Sequence, residues 1–177
     1  METIVERKVM SPIVKGVIIT LAVIAFAVTT ALIGIEKAKN FGWVQYLIII
    51  GGIIWACISY SSQNEANVTF GNVFAHGFKV TAVVTCLFIL YMVLALKVIF
   101  PGIREQSIAI MKTEIAKQPK KPNQDSEQME KIIKGVSDNF VLITATGTMI
   151  VFLIVGAAAS LAGAVVAKKN PNANPLG

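Results

Sequence analysis

Phe140 to Ala167 reads FVLITATGTMIVFLIVGAAASLAGAVVA and contains no charged residue. An α-helix rises about 1.5 Å per residue, so about 20 apolar residues cross the roughly 30 Å of hydrocarbon in a bilayer. This run is long enough. Working outward, three more runs of the same kind precede it: Ile13 to Ile35, Val44 to Tyr60 and Val80 to Phe100. A water-soluble domain of 177 residues cannot hide four such runs, whereas a bilayer solvates them. The Ile48-Ile49-Ile50 and Ile53-Ile54 clusters resemble a buried strand in isolation, but the length of the run and its flanking aromatics argue for a membrane helix. The expected fold is therefore all-α, an integral membrane bundle of four transmembrane helices over 13–35, 44–60, 80–100 and 140–167, in one membrane domain spanning 1–177.

Composition agrees with this reading. Hydrophobic residues make up 55% and charged residues 15% of the chain, against about 25% charged in ordinary soluble domains. The mean hydropathy is +0.69. The net charge is +6, with the lysines and arginines mostly at the ends of apolar runs, where they meet lipid headgroups. No basic-aromatic interleaving of the kind used by single-strand binders is present, so nucleic acid is not an expected partner. Cys57 and Cys86 both lie inside apolar runs, with neither a CxxC nor a Cys/His cluster, and are expected to be small buried hydrophobes rather than a disulfide or a metal site.

Punctuation along the chain sets the boundaries. Ser11-Pro12 suits an N-cap followed by the first helical position. The first run is too long for a cleavable signal core and is expected to be a retained signal anchor. Lys15, near its start, is expected to snorkel to the headgroups. Trp43, Tyr46 and Tyr60 mark interfaces at the two ends of the second span. Phe70, Val73, Phe74, Gly77 and Phe78 recur at spacings of three and four, which predicts an amphipathic lead-in helix over 70–78 before span three. Pro101-Gly102 is expected to stop that span.

Residues 103–139 form the one long polar connection, expected to be helical and outside the bilayer. Ile103, Ile108, Met111 and Ile115 share one helical face, and so do Met129, Ile132, Ile133 and Val136. A breaker segment from Gln118 to Ser126 separates them, with Ser126 as the expected N-cap. Lys168-Lys169 closes span four, and 170–177 is expected to be a flexible tail. Four spans place both termini on one side. Positive charges near the span ends are nearly equal on the two sides, and the termini are assigned to the cytoplasm.

The segment Val68-Thr69-Phe70-Gly71-Asn72-Val73-Phe74-Ala75-His76-Gly77-Phe78, set between a short Ile-rich span and a third span, resembles the bacterial inner-membrane family called domain of unknown function 4199, common in the Bacteroidota. The Phe-Gly-x-x-Phe-x-x-Gly-Phe pattern from Phe70 to Phe78 carries the resemblance most sharply. A helical loop bearing Met and Gln and a Gly/Ala-rich last span ending in Lys-Lys extend it over nearly the whole chain. The family usually has a basic residue near the position of Asn72, and this chain departs there. The resemblance implies a four-helix inner-membrane protein and no established activity, substrate or catalytic residue.

Candidate residues are few. His76, the only histidine, is either a proton or headgroup sensor or an ordinary interfacial polar residue. Phe70, Phe74 and Phe78 are either a lipid-immersed wedge or partner ridge, or an aromatic face packed on the protein's own helices. Lys79 beside them either binds an anionic headgroup or only anchors the helix. Gly156, Ser160 and Ala164 repeat at intervals of four and, with Gly163, are expected to pack helices closely. Thr81, Thr85, Thr144, Thr146 and Thr148 offer a polar path. No Asp, Glu, Arg or His lies mid-span, and ion-coupled carriers usually need such a group or a broken helix. Only Gly51-Gly52 offers a break.

No catalytic motif or phosphate-binding glycine loop is present, so no enzyme activity, cofactor or metal site is expected. The expected function is a non-enzymatic inner-membrane subunit or scaffold, with membrane lipid and either a protein partner or further copies of the chain as partners. The alternatives are a small transporter or channel, or a lipid-binding accessory of an envelope-building enzyme.

Overall fold

The computed structural model describes residues 9–34, 41–117 and 126–169; the expected flexible tail and the breaker segment lie outside them, as do the side chains of Ser126 and Met129. Every regular element among the described residues is a helix: α1 Pro12–Ile33, α2 Gly42–Gln63, α3 Phe70–Leu94, a π-helical turn Ala95–Ile99, α4 Pro101–Lys117, α5 Ser126–Asp138 and α6 Phe140–Val166. Four stretches, Pro12–Ile33, Gly42–Gln63, Phe70–Ile99 and Phe140–Val166, are long and apolar enough to cross a membrane.

Local chemistry accounts for the helix ends. Ser11 accepts a hydrogen bond from the Val14 amide at 3.3 Å and Pro12 takes the first turn, satisfying one of the orphan donors of α1. Gly34 ends α1 at φ 98°, a conformation in which a side chain is strained. α2 runs unbroken through Gly51-Gly52, because the neighbours of a membrane helix offer no water to compete for its backbone bonds. It continues to Gln63, where distant partners hold its last turn: Gln63 Oε1 accepts from the Met10 amide at 3.0 Å, and Ser61 Oγ donates to the Lys168 carbonyl.

No break separates residues 70–78 from span three. The expected lead-in helix is instead the first turns of the single helix α3. At its far end the helix widens into the π turn, where the Phe100 amide bonds Ala95 O five residues back at 2.7 Å, and Pro101 then opens α4. Proline thus stops one helix by lacking an N–H and starts the next, where none is needed. In α4, Ile103, Ile108, Met111 and Ile115 are all half-buried, and in α5 so are Ile133 and Val136.

The chain divides into two compact units, residues up to 88 with 150 onward, and residues 89–149. In the first, Val23 of α1, Ile53, Ala56 and Cys57 of α2, Val73 and Val80 of α3 and Ala164 of α6 are fully buried. Its helices meet through small residues. A Cβ on Gly77 of α3 would lie 2.5 Å from Cys57 Sγ and 2.9 Å from Ser160 Oγ. One on Gly163 of α6 would lie 2.7 Å from Cys57 Cβ, and one on Gly156 would collide with Thr81. The expected packing residues Gly156, Ser160, Gly163 and Ala164 are all buried on α6.

The two cysteines, expected to be alike, differ: Cys57 is buried and Cys86 exposed. A bilayer-soluble carbene precursor, which needs no thiolate, is expected to label Cys86 in native vesicles and spare Cys57 until the helices separate. Peptide mapping checks this, and equal modification of both thiols would contradict the packing around Gly77.

Candidate functional site

The expected site residues fall on two sides of α3. Phe70 and Phe78 are exposed at 43% and 41%, and Lys79 is exposed as well. Phe74 is half-buried and stacks on Phe78 at 6.1 Å between ring centroids. Lys169 Nζ lies 5.6 Å from the Phe70 ring centroid and also reaches the carbonyl oxygens of Ala164 and Val165, closing the end of α6 with a cation where the helix dipole is negative. His76 is separated from this group by the turn of the helix. It is only 5% exposed and lies in the interior of the first unit.

There His76 joins a residue that sequence reasoning placed elsewhere. Lys15 does not snorkel to the headgroups: it is fully buried, and its Nζ donates to the Ala56 carbonyl of α2 at 3.2 Å. The ammonium also lies 5.9 Å from the ring centroid of Tyr60, within cation–π range. Tyr60 in turn stacks on His76, with centroids 4.2 Å apart and planes inclined by 16°. Tyr60, expected at an interface, is therefore the shared neighbour of the two buried basic side chains. A carbonyl dipole and a π face stand in for a counter-ion, since among the described residues no carboxylate pairs with Lys15. A cation held away from water needs such compensation.

The surrounding polar groups bond mainly to helix carbonyls. Ser160 Oγ donates to Gly156 O at 2.7 Å, Thr81 Oγ1 to Gly77 O at 3.1 Å, and Thr20 Oγ1 to Gly16 O at 2.8 Å. These are bonds of a hydroxyl one turn back onto its own helix. Cys57 Sγ lies 3.8 Å from Val73 O. His76 Nε2 and Thr85 Oγ1 are buried without a partner. The cluster supplies a cation, a ring face and an imidazole nitrogen, while its one thiol faces a carbonyl. It ties α1, α2 and α3 together at one end of this unit.

Of the threonines, Thr81 and Thr85 are buried in the first unit. In the second, Thr146 is exposed, Thr144 and Thr148 are half-buried, and Thr148 Oγ1 donates to Met92 Sδ at 3.8 Å.

A sequence signal for Lys15 existed. Lys15, Ile19 and Val23 lie four apart and are all buried, and Gly16 and Thr20 lie beside them. Small and polar residues on one stripe of an otherwise greasy helix mark the face that meets other helices, and Lys15 is on that stripe.

Residues 15–169 match a family model described as protein of unknown function (DUF4199). No curated protein matches the chain, and no solved structure does.

Proposed function

As the chain belongs to the family of proteins of unknown function DUF4199, which brings no activity with it, we propose from its geometry that it is a non-enzymatic subunit or scaffold of a membrane complex. In this reading it sits in the cytoplasmic membrane of a bacterium with both termini in the cytoplasm, and works without a cofactor. One observation carries the reading. α6 has a second row of small residues besides the one it buries: Ala158 and Ala162, four apart, are exposed. Leu161, Val165 and Val166 flank them at 47%, 67% and 65% exposure. Lipid tails are as apolar as leucine, so association of helices in a bilayer depends on close packing, which small residues permit and large ones prevent. The buried row Gly156, Ser160 and Ala164 serves the chain's own helices; the outward row is available to another helix, from a partner or a second copy.

A photocrosslinking residue at Ala162, in the full chain in native membranes, is expected to trap one protein adduct of defined mass. The same probe at Leu90, 58% exposed on α3, is the lipid-facing control. Ala158→Leu is expected to reduce the adduct by about tenfold, an amount of packing energy typical of an overfilled contact. Lipid adducts alone at Ala162, with the same pattern as at Leu90, would remove this reading.

A further inference from the structure

The second unit holds a cleft of about 500 Å³, within the roughly 300–1,000 Å³ usual for small-molecule sites. Its apolar part is built by Leu96 at the end of the third span and by Val141 and Leu142 at the start of the fourth. Its charged part is built by Lys97, Arg104, Glu105 and Asp138, where those spans end and α4 and α5 meet them. One cleft thus runs from apolar side chains of the two spans to charges where those spans end. A ligand that fills it is apolar at one end and charged at the other.

The charges narrow the class. Two are cations and two are carboxylates, and among the described residues no ion pair joins them. Arg104 is held by a long contact, Nη2 to the Ser137 carbonyl at 3.5 Å, and beside it Arg104 Nε and Ser137 Oγ are buried without partners. Lys97, Glu105 and Asp138 are exposed around the half-buried Arg104, so the charged end of the cleft is open to a headgroup. The π turn carrying Leu96 and Lys97 is of a kind that recurs at functional sites. An anionic headgroup would satisfy the two cations and leave two carboxylates facing a negative lipid. A trimethylated ammonium has no N–H to donate to those carboxylates. A phosphate joined to a primary ammonium satisfies all four.

We propose that this cleft binds a zwitterionic phospholipid of the phosphoethanolamine class, its phosphate at Lys97 and Arg104, its ammonium at Glu105 and Asp138, and an acyl chain along Leu96, Val141 and Leu142. The assignment does not rest on the outward row of Ala158 and Ala162.

The test is native mass spectrometry of the full chain released from nanodiscs holding equal parts phosphatidylethanolamine, phosphatidylcholine and phosphatidylglycerol. Phosphatidylethanolamine is expected to be enriched about tenfold in the retained lipid, the ratio one charge-assisted hydrogen bond supports. With the unaltered chain, retention is expected to fall at each step as the ethanolamine nitrogen is methylated. Glu105→Gln with Asp138→Asn is expected to shift the preference to phosphatidylglycerol, and Lys97→Gln with Arg104→Gln to release lipid of every class, with helicity by circular dichroism unchanged. Equal retention of the methylated series, a preference of the unaltered chain for phosphatidylglycerol, or no retained lipid would each overturn the assignment. The methylation series needs no variant, so it decides the matter even if a charge substitution disturbs folding.

Discussion

Lys15→Ala is expected to destabilise the protein by about 2–5 kcal/mol, in the lower half of that range, whereas Lys15→Met is expected to stay within about 1.5 kcal/mol of the parent. The difference comes from what Lys15 does in the first unit. Its side chain is fully buried against α2, so alanine leaves a void and the lining atoms lose their contacts. The transfer term that enlarges such losses in water is small here, because a side chain released from the core meets lipid of similar polarity. Methionine keeps nearly the same length and bulk. It gives up one hydrogen bond to Ala56 O and the proximity to the Tyr60 ring. Against that loss stands the ease with which a separated α1 extends its lysine to the headgroups, a gain to the unfolded side that methionine lacks. Reversible unfolding in bicelles, read by carbene labelling of Cys57 from the lipid phase, measures both variants. If methionine proves as damaging as alanine, the ammonium rather than the bulk of Lys15 holds the helices, and the cluster with Tyr60 and His76 is an electrostatic lock.

The second large effect is expected at the helix crossings. Gly77→Ala and Gly156→Ala are each expected to lose about 1–3 kcal/mol, the usual range for overfilling a packed interior, even though alanine is favoured over glycine within a helix by about 1 kcal/mol. The added methyl at residue 77 falls 2.5 Å from Cys57 Sγ and 2.9 Å from Ser160 Oγ, and at 156 it meets Thr81. Those side chains are short, buried and fixed to rigid helices, so the helices themselves must part. Gly51→Ala is the internal comparison, since nothing lies within 4 Å of a Cβ there, and it is expected to be neutral or stabilising. The same bicelle assay ranks the three. Equal behaviour at residues 51, 77 and 156 would mean that α2, α3 and α6 do not approach as closely as described.

These effects sit at residues whose type was plain in the sequence while their setting was not. Gly156, Ser160 and Ala164 announced a packing stripe by their interval of four, and the structure places all three inside. Lys15 and His76 were visible as the basic residues at the starts of α1 and α3, yet their direction was misjudged. Direction is read in soluble helices from the contrast between an apolar and a polar face. In α1 and α3 both faces are apolar, so that contrast is missing, and only small and hydroxylated residues betray the inner side. Tyr60, expected at an interface, is half-buried and stacks on His76, and tyrosine suits an interface and a ring stack equally well.

The number of membrane-crossing helices and their approximate positions were already contained in the chain of 177 letters, because solvation by hydrocarbon depends on the makeup of each segment and on nothing beyond it. The ends of α2 and the inward turn of Lys15 and His76 were not, because they arise from contacts between residues far apart in the chain: Met10 with Gln63, Ser61 with Lys168, Lys15 with Ala56. Such pairings exist once the helices have come together, and no local pattern specifies which faces will meet.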